Sequence, residues 1–252
     1  MAAGATPPPL DAAGQARLEG YRRVPALAGE LVYRGTVFPQ ERGRAAPLFN
    51  YERRVARTAE SLEAATHITH APDGEVIIAE TARYAAGYVL QRFDATNKQL
   101  GQRGSVVLSN GGRRLEYRLL DSGKLSTASE DVNAPVVSGP SLHEFILNHW
   151  ESLARGEPLP VRMIVLAQKQ SYGFDIRRVE SNSAEAGRTS FSITLSSWIV
   201  RLALKPLSVT FGNSSRNVVR YEGRVPPLRE VEDRLTTLEP RADYTMEMAT
   251  YR

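Results

Sequence analysis

Cysteine is absent from this 252-residue chain, which removes disulfide staples, thiolate metal sites, thiol nucleophiles and an acylated lipoprotein cysteine together. Long apolar runs are missing as well. The longest, such as Val161 to Ala167, are strand-sized rather than the roughly 18 to 20 residues of a membrane-spanning helix, so no transmembrane segment is expected. The opening Met1-Ala2-Ala3-Gly4-Ala5-Thr6-Pro7-Pro8-Pro9 has neither the basic n-region nor the apolar h-region of a secretory signal. It reads as the start of a cytosolic protein, or of a mature or trimmed chain.

Catalytic and nucleotide-binding signatures are lacking too. There is no G-x-G-x-x-G, no Walker A loop and no G-x-S-x-G nucleophile elbow, so no cofactor is expected. The arginines lack the interleaved aromatics of a base-stacking platform, which argues against nucleic acid as a partner. Of the four histidines, His67 and His70 lie three apart on an expected strand and point to opposite faces, so they cannot share a metal. His143 and His149 lie six apart on an expected helix and diverge as well.

What is present is an ordinary globular mixture, 42% apolar and 24% charged, long enough for one large core. The net charge is only +4, yet residues 17 to 57 concentrate Arg17, Arg22, Arg23, Arg34, Arg42, Arg44, Arg53, Arg54 and Arg57 against four glutamates. That excess suits an anionic surface, or else a solvated strand face with scattered ion pairs.

Residues 1 to 26 carry no sustained period and read as an extended tail, followed by a single domain over 27–252. Two-residue alternation dominates that domain, the mark of strands with one buried face. Turn signals at Asp73-Gly74, Asn110-Gly111-Gly112 and Asp121-Ser122-Gly123 join strands into a meander. The clearest helix runs over 141–155. Ser141 and Glu144 have the spacing of a capping box, Gly156 and Pro158 supply the stop, and Leu142, Phe145, Ile146, His149, Trp150 and Leu153 form its apolar stripe.

Strands resume to Gly223. The faultless alternation of 190–196 places Phe191, Ile193 and Leu195 on one face. Trp198 to Lys205 reads as two turns of helix, and the spacing of Leu228, Val231, Leu235 and Leu238 as a further helical segment. About eleven or twelve antiparallel strands around one central helix predict a mainly β fold: a single large curved sheet or open half-barrel.

Three stretches carry a resemblance: Ser196-Ser197-Trp198 to Leu202, then Lys205-Pro206-Leu207-Ser208-Val209-Thr210-Phe211, then Val218-Val219-Arg220-Tyr221-Glu222-Gly223, with Gly139-Pro140 to Trp150 and Tyr33-Arg34-Gly35 in support. Over about residues 29 to 251 the chain resembles a group of uncharacterised proteobacterial envelope proteins, similar in fold to the lipoprotein-carrier half-barrel. The resemblance implies a periplasmic location, with a cytoplasmic one as the alternative, a lipid or lipidated protein as partner, and no catalysis. On that expectation Phe145, His149, Trp150, Phe191, Trp198 and Leu202 line a concave ligand-binding face, and exposed Arg53 and Arg54 meet anionic headgroups of a membrane surface. Two other classes fit the same pattern: a fully packed interaction module, and an enzyme whose polar side chains converge from distant strands.

Overall fold

The structure is a computed structural model that describes residues 30–39, 46–58, 61–180, 187–196, 206–231, 234–238 and 240–245. Eight strands follow one another in an up-and-down meander: β1 (Glu30–Phe38), β2 (Phe49–Arg57), β3 (Leu62–His70), β4 (Val76–Tyr84), β5 (Leu90–Asn97), β6 (Gln102–Ser109), β7 (Arg114–Asp121) and β8 (Lys124–Asp131). The chain then passes through β9 (Val136–Val137) and two short helices, α1 (Leu142–Asn148) and α2 (Trp150–Ala154). A second meander follows in β10 (Leu159–Val165), β11 (Gln170–Val179), β12 (Arg188–Leu195), β13 (Leu207–Gly212) and β14 (Val218–Glu222). After a separate hairpin of β15 (Leu228–Val231) and β16 (Arg234–Thr237), β17 (Arg241–Thr245) inserts between β1 and β14.

That last insertion makes the two meanders one sheet of 15 strands, in the order β8-β7-β6-β5-β4-β3-β2-β1-β17-β14-β13-β12-β11-β10-β9. All its pairings are antiparallel except β9 with β10. The mainly β, open-barrel expectation is met, with more strands than the eleven or twelve expected.

The sheet curls until its ends meet without a ladder between them. Glu130 on β8 bridges the gap: its carboxylate accepts the Ser171 amide at 2.6 Å and the Tyr117 hydroxyl at 2.5 Å, and pairs with Arg162 at 3.3 Å.

Local chemistry accounts for the turns. Gly74 at φ +90° closes the β3–β4 hairpin with its amide on Ala71 O at 2.9 Å. Ser122 and Gly123, both at positive φ, form the two-residue β7–β8 turn whose twist matches the strands. On β12, Phe191, Ile193 and Leu195 are buried while Ser190, Ser192 and Thr194 are half-buried, as the alternation requires.

Three local expectations are corrected. The single helix over 141–155 is two, broken at His149 (φ −108°, ψ 18°), whose Nδ1 donates to Phe145 O at 2.8 Å. The capping box does not form: Ser141 Oγ accepts the Ser138 amide at 2.7 Å, and Glu144 turns inward. The segment after Pro226-Pro227 is the β15–β16 hairpin rather than a helix. There the Gln99 side chain satisfies both backbone groups of Leu228, at 2.8 and 2.9 Å, and Leu238 joins a cluster with Val37, Phe49 and Ile78. The expected helix over Trp198 to Lys205 lies outside the described residues.

Inside the curl, α2 rests on an aromatic layer. The Trp150 ring meets Phe191 and Phe211 edge-on, at centroid distances of 5.2 and 5.5 Å, and those two meet each other at 5.8 Å. Edge-to-face pairs of this kind add about 0.5–1.5 kcal/mol each beyond the area they bury.

Candidate functional site

Strand periodicity builds the other half of the interior. On β2 it turns Phe49, Tyr51, Arg53, Val55 and Arg57 toward the helices, and the register sets Arg53 opposite Tyr33 on one side and His67 on the other, with His67 opposite Glu80 in turn. A polar row therefore crosses four strands on the concave face, directly under α1.

Arg53 is fully buried and every contact of its guanidinium has a partner. It pairs with the Glu144 carboxylate, donates to Pro140 O at 2.8 Å and donates to His67 Nε2 at 2.6 Å. The other Glu144 oxygen accepts from the Tyr84 hydroxyl at 3.1 Å. One charged group from β2, one from α1, and hydroxyl and imidazole side chains from β4 and β3 thus lock the helix to the sheet.

Electrostatics follow from this burial. Burial alone would raise the Glu144 carboxyl, but the Arg53 guanidinium outweighs it and holds Glu144 below the ordinary range. Burial, then Arg53, push His67 well below its usual value and His143 down to about 4, so both imidazoles are neutral near pH 7. Burial lifts the Tyr33 hydroxyl to about 12 and the Glu80 carboxyl to about 7.

Between α1 and β1–β3 lies a cavity of about 260 Å³. Val32, Val55, Leu62 and Leu147 form its apolar walls, and Arg53, His143 and Glu144 its buried end. Arg57, Tyr88, Asn148, Ser215, Arg216 and Asn217 surround the opening. His143 sits between Tyr33 and Phe211, at ring distances of 6.3 and 5.6 Å, and its Nδ1 is buried with no hydrogen-bond partner. Two residues at the opening hold left-handed backbone without being glycine, Tyr88 at φ +60° and Arg216 at φ +56°.

The residues expected to line a ligand groove are distributed differently. Trp150, 8% exposed, and Phe191, fully buried, are packed into the aromatic layer. Phe145 is half-buried and stacks on His149 at 4.3 Å. Trp198 and Leu202 lie outside the described residues. Arg53, expected to be exposed toward headgroups, is instead the most enclosed charge among the described residues, because the alternation of β2 points it inward. Arg54 faces the other side, and its Nε donates to Glu52 at 3.0 Å.

His67 and His70 do stay apart, the latter hydrogen-bonded to Gly74 O at 3.2 Å. What sequence reasoning missed is that His67 and His143, from strand and helix, flank the same arginine. A signal was available: in Phe49-x-Tyr51-x-Arg53-x-Val55 the arginine occupies an inward position. Among the described residues no three His, Asp or Glu side chains converge as metal ligands, and no helix is long and apolar enough to cross a membrane.

No family model matches the chain, nor does any curated protein. Among solved structures, it is similar to a β-barrel-like protein of the domain of unknown function DUF1849 from Brucella abortus, at 11% identity and a TM-score of 0.48, over 86% of this chain and 94% of that one. The di-domain ARO/CYC StfQ from the steffimycin biosynthetic pathway aligns at 9% identity and a TM-score of 0.15, over 97% of this chain and 83% of that one.

Proposed function

We propose that this chain is a non-enzymatic cell-envelope protein that binds an apolar or acylated molecule, taking one end of it into the cavity beneath α1. The observation that carries this is the cavity's composition: four aliphatic walls open beside two exposed apolar side chains, Tyr88 at 43% and Val89 at 47%. At about 260 Å³ the space is smaller than the roughly 300–1,000 Å³ that encloses a drug-sized ligand, which suits the end of a longer molecule. Each methylene moved from water onto those walls contributes about 0.8 kcal/mol, so binding needs no chemistry.

The non-enzymatic reading is supported by the state of the buried groups, since Glu144 is engaged by Arg53 and Tyr84 and the His67 Nε2 lone pair is taken. The envelope location rests on the resemblance carried by residues 196–223. Native mass spectrometry with organic extraction of protein purified gently from its host tests the proposal. A co-purifying lipid near one-to-one occupancy is expected. A clean apo mass, with no uptake of a fluorescent fatty acid, overturns it in favour of a packed interaction module, the reading favoured by the close burial of Trp150 and Phe191.

A further inference from the structure

Arg216 is held in an unusual way. Its left-handed backbone, a conformation that non-glycine residues rarely adopt, is fixed by the turn from Gly212 to Asn217: the Arg216 amide donates to Gly212 O at 2.8 Å and the Gly212 amide to Asn217 O at 3.0 Å. The turn lays the guanidinium over the Trp150 ring, 3.8 Å from its centroid. Stacking fixes the plane of the group while leaving its N–H edge available. No carboxylate among the described residues forms an ion pair with Arg216.

The same cavity is lined by Arg57, which pairs with Glu30 at 3.9 Å, and by the ring of His143. The Arg53 charge is cancelled by Glu144. That leaves the Arg216 guanidinium at the opening, in a half-buried setting where hydrogen bonds to an ionised acceptor are roughly twice as strong as neutral ones.

We infer that the end of the ligand entering this cavity is an anion, a phosphate or carboxylate gripped by Arg216. This rests on the binding role proposed above and adds the class of headgroup. The aliphatic walls then take the first carbons behind the anion, and Tyr88 and Val89 flank the emerging chain.

The test compares three probes on the full chain at near-neutral pH and low salt: lysophosphatidic acid, lysophosphatidylcholine of the same acyl length, and inorganic phosphate. The phosphomonoester lipid is expected to bind at least tenfold tighter than the choline lipid. Arg216→Gln should erase that preference.

Equal affinity for the two lipids overturns the anion assignment and leaves the cavity reading standing. Binding of inorganic phosphate, weakened by Arg216→Gln, without binding of either lipid upholds the anion site and removes the acylated ligand. Failure of all three probes removes both.

Discussion

The two halves of one broken helical segment bury opposite kinds of surface. Under α2, Trp150, Phe191 and Phe211 make a dry aromatic layer whose stabilisation scales with the area removed from water. Under α1, Arg53, Glu144, His67 and Tyr84 make a fully hydrogen-bonded polar layer, where desolvation and attraction nearly cancel. The difference teaches that α2 supplies cohesion and α1 supplies position. An aromatic layer tolerates rotation of the helix about its axis, whereas a salt bridge with three further hydrogen bonds accepts one placement.

The sharpest way to break the comparison is by compensation. Arg53→Met should cost about 3–5 kcal/mol by stranding the Glu144 carboxylate, and Trp150→Ala a similar 3–5 kcal/mol through a cavity, both read by chemical denaturation. A second substitution separates them. Adding Glu144→Leu to Arg53→Met should return most of the lost stability, while adding Phe191→Ala to Trp150→Ala should deepen the loss. If the polar double variant stays as unstable as the single, the near-cancellation assigned to that layer is wrong.

A smaller effect comes from pH. His143 binds its proton less readily in the folded state, about 4 against an ordinary 6.5, so between those values the unfolded chain holds more protons and stability is lost as pH falls from 6.5 toward 4. Glu80 works the other way. Its folded value near 7 lies above the ordinary 4.5, the folded state keeps a proton that the unfolded state sheds, and stability is lost as pH rises from 4.5 to 7. Glu80→Gln should therefore stabilise the protein above pH 7, by on the order of 3 kcal/mol, and leave a stability that climbs with pH through the histidine window. Denaturation midpoints from pH 4 to 8 check both signs. Smallest of all, Arg54→Gln removes a partly exposed pair with Glu52 and should change stability by about 0–1 kcal/mol.

These contrasts also mark what could be read from sequence. Turns were legible because their chemistry is local: Asp73-Gly74 and Ser122-Gly123 need nothing from the rest of the fold. The alternation of β12 was legible for the same reason. Glu144 was not, since the capping-box spacing is a property of four residues while its actual partner, Arg53, lies 91 positions away. The 228–238 stretch deceived in a similar way, its leucine spacing fitting a helix until the Gln99 side chain, 129 residues distant, claims the backbone groups a helical turn would use. Strand number ran short because β9, with two residues, and β15 and β16, with four each, are too brief to show a period, and because Leu90, Phe93 and Ala95 of β5 break strict alternation. At the site, the expected aromatic residues Phe145, Trp150 and Phe191 do not line the cavity, and the cavity's arginine at 216 sits in a turn where no periodicity points inward.

The seam at Glu130 has a mechanical consequence. A barrel sealed by a ladder can widen only by tearing a column of main-chain bonds, so its girth is fixed when it folds. Here, among the described residues, the Glu130 carboxylate reaches across to Ser171 and Arg162, beside the passage of residues 132–135 that joins the entry to β7 through the Val132 amide and β10 through Pro135 O. The circumference can therefore dilate at one line while all fourteen strand-to-strand pairings of the sheet stay intact, as a sleeve opens at a button rather than along its weave.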